Sequence, residues 1–383
     1  MVVHGPYPLG EPRVEREALA ARTAGWQVDV LATRRAGETP EEQVDGVRVR
    51  RLPVEHRRGV GLAAALREYV GFTCLAAREL ARDSPPDVVH VHAPPDFLIG
   101  AALPARLRGA RLILDVHDLS SHMFAMRFGD RRGAVTADRL LRLVGRAAAR
   151  AADTVVTVHE PYRAELERRG VPPKKLTVLM NSVDESRLPR AAADSGAANG
   201  FRVVYHGTIT PPYGVDLLVR AAAKVAPRLK ELRLELYGEG DELPRVRGLA
   251  AELGLDGRLT TSAGYLPHRL VLERIAGASV GVVPNRPTRL NRFALSSKLF
   301  EYVALGIPVA AADLPTLRSY FADDEVRFFR AGDDAALAEA LAEVAANPNA
   351  ARNRATAARQ RYAAYRWPEQ ARRYVDLLER LAR

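Results

Sequence analysis

The chain has 383 residues, of which 47% are hydrophobic and 27% charged. This composition excludes a disordered polypeptide. The length exceeds what one ordinary hydrophobic core accommodates, so we predict two globular domains. Its formal net charge of +11 predicts a surface that attracts polyanions, including phosphorylated small molecules, nucleic acid and an anionic membrane leaflet. A single cysteine excludes internal disulfides, and no apolar run reaches the ~20 residues that cross a bilayer, so we expect a cytoplasmic protein.

Apolar runs typical of buried strands alternate with helix-patterned segments along the chain. A first series of runs covers residues 26–33, 87–92, 111–116, 154–158 and 176–180, and a second covers 201–205, 232–237, 278–283, 308–312 and 326–329. Residues 1–5 read as the end of a further strand whose beginning lies before this sequence. Strands that alternate with helices are typical of parallel sheets with helices on both faces. The predicted fold class is therefore α/β, with two parallel-sheet domains and a cleft where they meet.

The stretch 187–200, RLPRAAADSGAANG, separates the two series and has no apolar periodicity. Its Pro, Gly, Ser and Asn residues predict a linker between an N-terminal domain, 1–186, and a C-terminal domain, 201–366. Beyond these domains, Ala371, Tyr374, Leu378 and Leu381 stand at helical spacing and predict a final helix over 367–383. This helix has one apolar stripe, which needs a partner surface.

Polar residues and glycines directly follow several predicted strands, and this is where ligands bind in open parallel sheets. They are His90, His92, Asp115, His117, Asp118, His206, Gly207, Gly238, Glu239 and Gly240. His90 and His92 share one face of their strand because side chains alternate, so Asp115 or Asp118 could complete a metal site with them. Their spacing matches no common zinc motif, and packed histidines are frequent at strand ends, so we predict no metal.

The segment that begins SSKLFEYVALGIPV at Ser296 predicts a helix whose start suits a phosphate group. A helix N-terminus offers backbone N–H groups and a positive dipole end, to which Ser297 adds a hydroxyl and Lys298 a cation. Glu301 follows one turn later, where a carboxylate can accept hydrogen bonds from a ribose diol. Taken in isolation, the same residues are equally typical of a capping serine, a surface lysine and a helical glutamate.

Together with four other stretches in the same order, this segment resembles family 4 glycosyltransferases, in the branch associated with O-antigen and exopolysaccharide assembly. The five stretches are ADTVVTVHEPYRAELERRGVPPKKLTVLMNSVD (152–184), VVYHGTITPPYGVDLLVRA (203–221), LYGEGDEL (236–243), GYLPHRL (264–270) and SSKLFEYVALGIPVAAAD (296–313). Each stretch alone is a weak signal, whereas the ordered set is specific. The resemblance implies the GT-B fold, in which two Rossmann-like domains face a deep cleft and the last helix crosses back onto the first domain.

The resemblance also implies an activity. It is the transfer, with retention of configuration, of a sugar from a nucleoside-diphosphate sugar to a hydroxyl of a glycan or of a polyprenyl- or other lipid-linked acceptor. The C-terminal domain would mainly hold the nucleotide and the N-terminal domain the acceptor. No metal or other cofactor is expected if Lys298 and the helix start neutralise the diphosphate. A nucleic-acid partner is not expected, because basic and aromatic residues are not interleaved.

Matched position by position, the resemblance assigns roles to individual residues. Glu301 corresponds to the glutamate that binds the nucleotide ribose, and Ser297 and Lys298 correspond to the diphosphate-binding helix start. His117 corresponds to the histidine beside the transferred sugar and is the candidate catalytic residue. The remaining donor-site candidates are Leu266, whose backbone should face the base, Gly207, and Gly10 in the first loop. Candidates for the acceptor side or a secondary role are His92, Asp118 and Arg292.

The sequence departs from the family pattern at three places. Glu11 replaces a second glycine in the first loop, and Phe293 stands where a glutamate often contacts the sugar. The segment 211–213, Pro-Pro-Tyr, stands where a cation is usual, which leaves Lys298 as the principal one, with Arg286, Arg289 or Arg292 as possible assistants. These departures keep two alternatives open: a GT-B-fold sugar-nucleotide 2-epimerase and a catalytically weak nucleotide-sugar-binding or scaffold protein.

The stretch 59–81 is too apolar for an open surface and predicts a pair of helices. Cys74 lies within it and is expected to be buried as a small apolar side chain. The helices either pack as core or partly enter a bilayer interface, with Arg57, Arg58 and Arg82 at the rim. The second alternative predicts a peripheral protein at the inner face of the cytoplasmic membrane, where it would meet a lipid-linked acceptor.

Overall fold

The computed structural model describes the chain except for residues 9, 56–60, 83, 122–123, 125–133, 186–187, 190–199, 263 and 265. The chain folds into two compact units. The first unit comprises Met1–Asn181 with Pro368–Arg383, and the second comprises Ser182–Trp367. Most of the predicted linker, 187–200, lies outside the described residues.

The first unit contains an eight-stranded sheet. Its strands are β1 (Val2–Val3), β2 (Asp29–Thr33), β3 (Glu41–Val44), β4 (Val47–Leu52), β5 (Val88–Ala93), β6 (Arg111–Val116), β7 (Thr154–Thr157) and β8 (Leu176–Val178). They lie in the order β3-β4-β2-β1-β5-β6-β7-β8, and every neighbouring pair is parallel except β3 and β4. All five runs predicted in this part of the chain form strands. The short β1 occupies the centre of the sheet, where Val2 pairs with both Leu31 and Val91.

A hairpin of β3 and β4 was missed in the sequence. Asp45 and Gly46 join the two strands and both have positive φ, 51° and 76°. An Asp-Gly pair between strands favours this two-residue turn, because its twist matches that of the flanking strands. Most of β3 is exposed and polar, as expected of a strand at a sheet edge. Because its residues show no apolar run, a search for apolar runs passes over it.

In the described residues of the first unit, five helices precede the chain's entry into the second unit. They are α1 (Pro12–Thr23), α2 (Leu62–Arg82), α3 (Leu103–Arg106), α4 (Ala134–Ala151) and α5 (Glu160–Arg168), and a 3-10 helix at Asp96–Ala102 precedes α3. The predicted pair of helices over 59–81 is wrong, because α2 is one continuous helix of 21 residues. The prediction that Cys74 is buried is also wrong. Cys74 follows the exposed Val70 at a spacing of four and therefore lies on the outer face of α2.

The core on one face of the first sheet includes α1 and the last helix of the chain, Trp367–Ala382. Val14 and Ala18 of α1 pack in one cluster with Tyr374, Leu377 and Leu378 of the last helix. Burying each large apolar side chain contributes roughly 1.5–3 kcal/mol. The backbone N–H of Met180 also donates to the Gln370 side chain at 3.0 Å. The apolar stripe of the last helix is therefore buried within the first unit.

The second unit contains a six-stranded, fully parallel sheet. Its strands are β9 (Phe201–His206), β10 (Leu232–Tyr237), β11 (Leu259–Thr261), β12 (Val280–Val283), β13 (Val309–Ala312) and β14 (Arg327–Phe329), in the order β11-β10-β9-β12-β13-β14. All five runs predicted here form strands, and the prediction of two α/β parallel-sheet domains is confirmed. The three-residue β11 was missed because Leu-Thr-Thr is too short to stand out as an apolar run.

The helices of the second unit are α6 (Val215–Val225), α7 (Leu243–Glu252), α8 (His268–Ile275), α9 (Ser297–Ala304), α10 (Pro315–Arg318), α11 (Asp334–Ala346) and α12 (Pro348–Tyr362). The last helix of the chain, Trp367–Ala382, is α13. A 3-10 turn at Pro211–Tyr213 precedes α6. Among the helices of the described residues, none is long and apolar enough to cross a membrane.

Candidate active site

The start of α9 carries the strongest candidate residues of the second unit. Ser297 is the first helical residue and is exposed, whereas Lys298 and Glu301 are buried. Ser296 precedes the helix, and its side chain makes no capping hydrogen bond. The first N–H groups of a helix have no partner within the helix, so this helix start suits an anion. We refer to Lys298, Glu301 and the side chains that contact them as the α9 site.

Lys298 is a buried cation whose surroundings are aromatic. Its Nζ lies 5.5 Å from the ring centre of Tyr205 and 4.8 Å from that of Tyr213. Within the described part of the chain, no hydrogen bond or ion pair joins this ammonium group. Burial lowers the pKa of Lys298 to about 8, while Glu301 acts in the opposite direction. A buried charge without a hydrogen-bonded partner is costly, so an arriving anion would find a favourable position here.

Tyr213 lies in the loop after β9, where the resembled family usually has a cation. The Pro211–Tyr213 turn presents an aromatic face to Lys298 in place of a second positive charge. Nδ2 of the buried Asn291 donates to the Pro212 carbonyl at 2.7 Å and to the Arg286 carbonyl at 2.9 Å. The position of Tyr213 is therefore supported by the segment that follows β12.

Gly207 contributes space to the α9 site. A Cβ atom at this position would lie 2.6 Å from Cε and 2.9 Å from Nζ of Lys298, and φ of Gly207 is +103°. Its N–H already donates to the Tyr237 carbonyl at 2.8 Å. A Cβ atom at Gly238 would lie 1.9 Å from the Gly207 carbonyl oxygen. These glycines therefore let two loops and a lysine side chain approach closely.

Glu301 is held between two histidines. Nε2 of His206 lies 3.0 Å from Oε2, and Nε2 of His268 lies 3.2 Å from Oε1. Burial alone would raise the pKa of Glu301, but the charge and hydrogen bonds of His206 and His268 lower it far below its usual value. The carboxylate is therefore ionised at neutral pH and able to accept hydrogen bonds. His206 follows from its place at the end of β9, whereas His268 was missed because it begins a helix rather than ends a strand.

The other candidate residues of the second unit differ in burial and in whether their side chains already form ion pairs. Leu266 is partly buried and lies two residues before His268. Nη2 of Arg286 lies 2.5 Å from Oδ2 of Asp216, so its guanidinium is already paired. Arg292 is exposed, and no ion pair to its side chain exists among the residues that the structure describes. Arg292 is therefore a freer second cation than Arg286.

The first unit has its own cluster of titratable side chains at the carboxyl ends of β5 and β6. We refer to it as the histidine cluster, and it consists of Arg13, Glu17, His90, His92, Asp115 and His117. Arg13 of α1 donates through Nε to Oδ2 of Asp115 at 2.9 Å, and its Nη2 lies 3.1 Å from Oε1 of Glu17. Arg13 thus supplies a positive charge to both carboxylates of the cluster.

His117 is oriented by groups beneath it. Its Nε2 lies 3.3 Å from Oδ2 of Asp115 and 3.1 Å from Nδ1 of His92. Burial alone would lower the pKa of His117, but the Asp115 carboxylate raises it above its usual value. Burial and the neighbouring His90 hold the pKa of His92 well below its usual value. His117 therefore carries the proton more readily, and its side chain is 20% exposed.

Four buried members of the cluster, Glu17, His90, His92 and Asp115, place possible ligand atoms within 4.8 Å of one another. Such a spacing is compatible with a cation, and it is the one such group found among the described residues. Arg13 already balances both carboxylates. The absence of a metal therefore stays a prediction. Arg13 and Glu17 were missed because the pattern of an amphipathic helix does not indicate which strands the helix packs against.

Two further predicted residues lie beside His117. Asp118 accepts a hydrogen bond from the Tyr162 hydroxyl at 3.3 Å, and burial raises the pKa of its carboxyl while His117 lowers it. Glu11 has its pKa raised by burial, again with His117 acting in the opposite direction. Gly10 is exposed, with φ +115°, in the turn before α1. The accessible edge of His117 is therefore flanked by two carboxyl groups.

Each of the two α/β units matches a known family of glycosyltransferase domains. A match to the Glycosyl transferase 4-like domain covers residues 10–182, and a match to Glycosyl transferases group 1 covers residues 200–347. The two matches together span most of the chain. The chain therefore belongs to the family 4-type glycosyltransferases with the GT-B fold.

The chain is also similar to individual proteins. The chain is 28% identical over 395 residues to a D-inositol 3-phosphate glycosyltransferase from Nocardioides sp., covering 94% of this chain and 82% of that protein. It is 28% identical over 167 residues to an exopolysaccharide phosphotransferase from Streptomyces coelicolor, covering 43% of this chain and 16% of that protein's length. It is similar in fold to HepE from Anabaena in complex with UDP-glucose, with a TM-score of 0.75, 14% identity and coverage of 99% and 98% of the two chains.

Proposed function

We propose that this glycosyltransferase transfers a sugar, with retention of configuration, from a nucleoside-diphosphate sugar to a hydroxyl group of a glycan or of a lipid-linked acceptor. The observation that carries the donor class is the α9 site. A buried ammonium group, to which the described residues offer no hydrogen bond or ion pair, lies one helical turn from an ionised carboxylate at a helix N-terminus. The complex of the similarly folded HepE with UDP-glucose supports a donor of this class.

Each group of the α9 site matches one part of such a donor. The Lys298 ammonium and the first N–H groups of α9 suit the diphosphate, whose negative charge grows as the sugar departs. The Glu301 carboxylate suits the ribose diol because it is held ionised and accepts hydrogen bonds. Positioned cations and donors of this kind stabilise a leaving group without a protein nucleophile.

The proposed reaction breaks the bond between the sugar C1 and the diphosphate oxygen and forms a bond from C1 to the acceptor oxygen. The acceptor hydroxyl attacks from the side that the leaving group vacates, and its proton passes to the departing diphosphate. Retention and the O-antigen and exopolysaccharide setting rest on the family resemblance. His117, oriented by Asp115, is proposed to act beside the transferred sugar. None of the contacts described above favours the 2-epimerase or the scaffold protein, and neither is proposed.

The donor class is tested by titration calorimetry with UDP and GDP. Lys298→Ala and Glu301→Ala should each lose a charge-assisted hydrogen bond worth ~1.5–3 kcal/mol, which weakens binding roughly 10- to 150-fold. Lys224→Ala and Glu273→Ala are matched controls, because both side chains form surface ion pairs elsewhere in the second unit. Affinities for UDP and GDP that are unchanged in both site variants would contradict the assignment.

Transfer itself is tested by following nucleotide release with and without added acceptor. His117→Ala should lower turnover far more than it lowers nucleotide affinity, because the residue is placed to act in the transition state. A new nucleotide sugar formed without any acceptor would indicate the epimerase instead. Normal turnover in the His117 variant would show that this histidine is structural.

A further inference from the structure

Three neighbouring segments of the first unit expose large apolar side chains to solvent. The 3-10 helix Asp96–Ala102 packs against both α2 and α4 and continues into α3. Six side chains from these helices and the residue after α3 are between 46% and 89% exposed: Leu66, Val70, Leu103, Leu107, Leu140 and Leu143. Among the described residues, one other large apolar side chain is more than about a third exposed, Leu253 of the second unit, at 39%. The exposed apolar surface is therefore concentrated on one set of adjoining helices.

The exposed side chains follow the helical repeat. On α2, Leu66, Val70, Cys74 and Arg78 are exposed at intervals of four. The opposite side of α2 is buried, with Phe72, Ala76 and Leu80 in the core. A helix that has already buried one apolar face has no packing need for a second, so the outer face requires a separate explanation.

Helix α4 repeats this arrangement. Arg139, Leu140, Leu143, Arg146 and Arg150 are all exposed and lie along one side of the helix. Leu140 and Leu143 are 60% and 59% exposed. The outer side of α4 thus combines two apolar side chains with flanking guanidinium groups.

The same helices carry much of the protein's positive charge. Residues 62–82, 103–106 and 134–151 contain eight arginines and three carboxylates, a net charge of +5 compared with +11 for the whole chain. No ion pair involves Arg67, Arg78, Arg139 or Arg150 in the described ranges. Of the rim arginines expected from the sequence, Arg82 pairs with Glu79 at 3.2 Å, and Arg57 and Arg58 lie outside the described residues.

We propose that α2, α3 and α4 form a docking surface for an anionic lipid leaflet. This inference rests on the proposed function, because a lipid-linked acceptor is reached only at a membrane. An anionic leaflet offers phosphate groups to the arginines and an apolar layer to the leucines and Val70, which matches both features of the surface. The phosphate backbone of a nucleic acid would satisfy the arginines and leave six apolar side chains unmatched. A second copy of the same surface would bring two strongly positive faces together.

Co-sedimentation with vesicles tests this surface. The wild-type protein should bind vesicles of phosphatidylglycerol and phosphatidylcholine at low salt, release at high salt, and bind pure phosphatidylcholine weakly. The double variant Leu140→Glu with Leu143→Glu should bind the anionic vesicles about tenfold more weakly or worse. Leu253→Glu is the matched control, an exposed leucine of the second unit, and should bind as the wild type does. Arg139→Glu with Arg150→Glu should also weaken binding and reduce its dependence on salt.

The melting temperature of each variant is measured in parallel and should stay close to the wild-type value, which shows that the altered unit is folded. Absence of wild-type binding to anionic vesicles at low salt overturns the proposal. If transfer to a soluble acceptor still proceeds in that case, the proposed function stands and only the docking surface fails. Equal binding by the leucine double variant and the Leu253 control also overturns it. A wild-type dimer that the leucine double variant converts to a monomer would assign the surface to self-association instead.

Discussion

Nε2 of His268 lies 3.2 Å from Oε1 of Glu301, one of the two oxygens of the carboxylate proposed to bind the ribose. The other oxygen, Oε2, is taken by the buried His206 at 3.0 Å. His268 is the more accessible of the two histidines, with a side chain 52% exposed. A ligand that forms a hydrogen bond to Oε1 therefore competes with His268, the more accessible of the two histidines.

This relationship predicts that removing His268 strengthens nucleotide binding. His268→Ala leaves Oε1 without a competing partner, so we expect the affinity for UDP or GDP to rise roughly tenfold, the lower end of the range for one charge-assisted hydrogen bond. Arg269→Ala, one residue further along α8 and well exposed, is the control. Titration calorimetry makes the measurement, and weaker binding by the His268 variant would show that this histidine contacts the ligand instead.

The Lys298 site predicts a loss of nucleotide affinity in alkaline solution. Burial lowers the pKa of Lys298 to about 8, although Glu301 opposes the shift, so the free protein loses this cation as the pH rises through that value. A bound diphosphate favours the charged form and raises the pKa, so affinity should fall progressively from about pH 8 to about pH 10. Lys298→Met should bind UDP weakly with little of this dependence. A wild-type affinity that stays constant over this range would show that the ammonium group does not face the phosphate.

Gly207 predicts a steric test of the same site. In Gly207→Ala the new methyl group would lie 2.6 Å from Cε of Lys298, at a backbone φ of +103° that side chains rarely adopt. We expect displacement of Lys298, weaker UDP binding and a loss of stability of about 1 kcal/mol or more. Gly248→Ala is the control, because this glycine lies in α7 with nothing within 4 Å of the added carbon. That change should raise the free energy of unfolding by about 0.5–1 kcal/mol. Denaturant unfolding and calorimetry separate the two outcomes.

The contact between Asp115 and His117 predicts a shift in the pH profile of turnover. Burial would lower the pKa of His117, and the Asp115 carboxylate raises it above its usual value. In Asp115→Asn this charge is absent, so the His117 pKa should fall, and the part of the turnover profile that follows its titration should move to lower pH. UDP affinity, which belongs to the other unit, should change little.

Because Asp115 also pairs with Arg13, the Asp115 variant needs a second measurement. NMR titration of the His117 ring in wild-type and variant protein reports its pKa directly. An unchanged His117 pKa in a folded variant would contradict the positioning role. The conservative Asp115→Glu change, which keeps the negative charge, should restore part of the wild-type profile.

The strands and the α9 residues could be predicted because their signals are local. The run Val309–Ala312 is apolar and buried along its whole length, since a central parallel strand is buried on both faces. Lys298 and Glu301 stand three positions apart in a single helix, so their shared side follows from spacing alone. The β3–β4 hairpin also had a local signal, the Asp45-Gly46 turn, which a search based on apolar runs passed over.

The exposure of the outer faces of α2 and α4 could not be predicted in the same way. Leu66 and Phe72 belong to the same apolar stretch, yet one is 51% exposed and the other is fully buried. Both residues are large and apolar, so composition does not distinguish them. Their burial differs because only one side of the helix packs against the rest of the unit. The same reason explains why Cys74 is exposed although cysteine is usually buried.

The sequence by itself determined two α/β domains and the helix start that suits a diphosphate, because hydrophobic periodicity and helix geometry act over a few residues. Only the tertiary structure decided which distant side chains meet. Arg13 reaches Asp115 across 102 positions of sequence, and His268 reaches Glu301 across 33. These pairs depend on the order of the strands in the sheet. A crossover connection can place parallel strands in more than one order, so local sequence patterns do not determine that order. Burial of the assembled sheet then sets the pKa values on which the proposed chemistry depends.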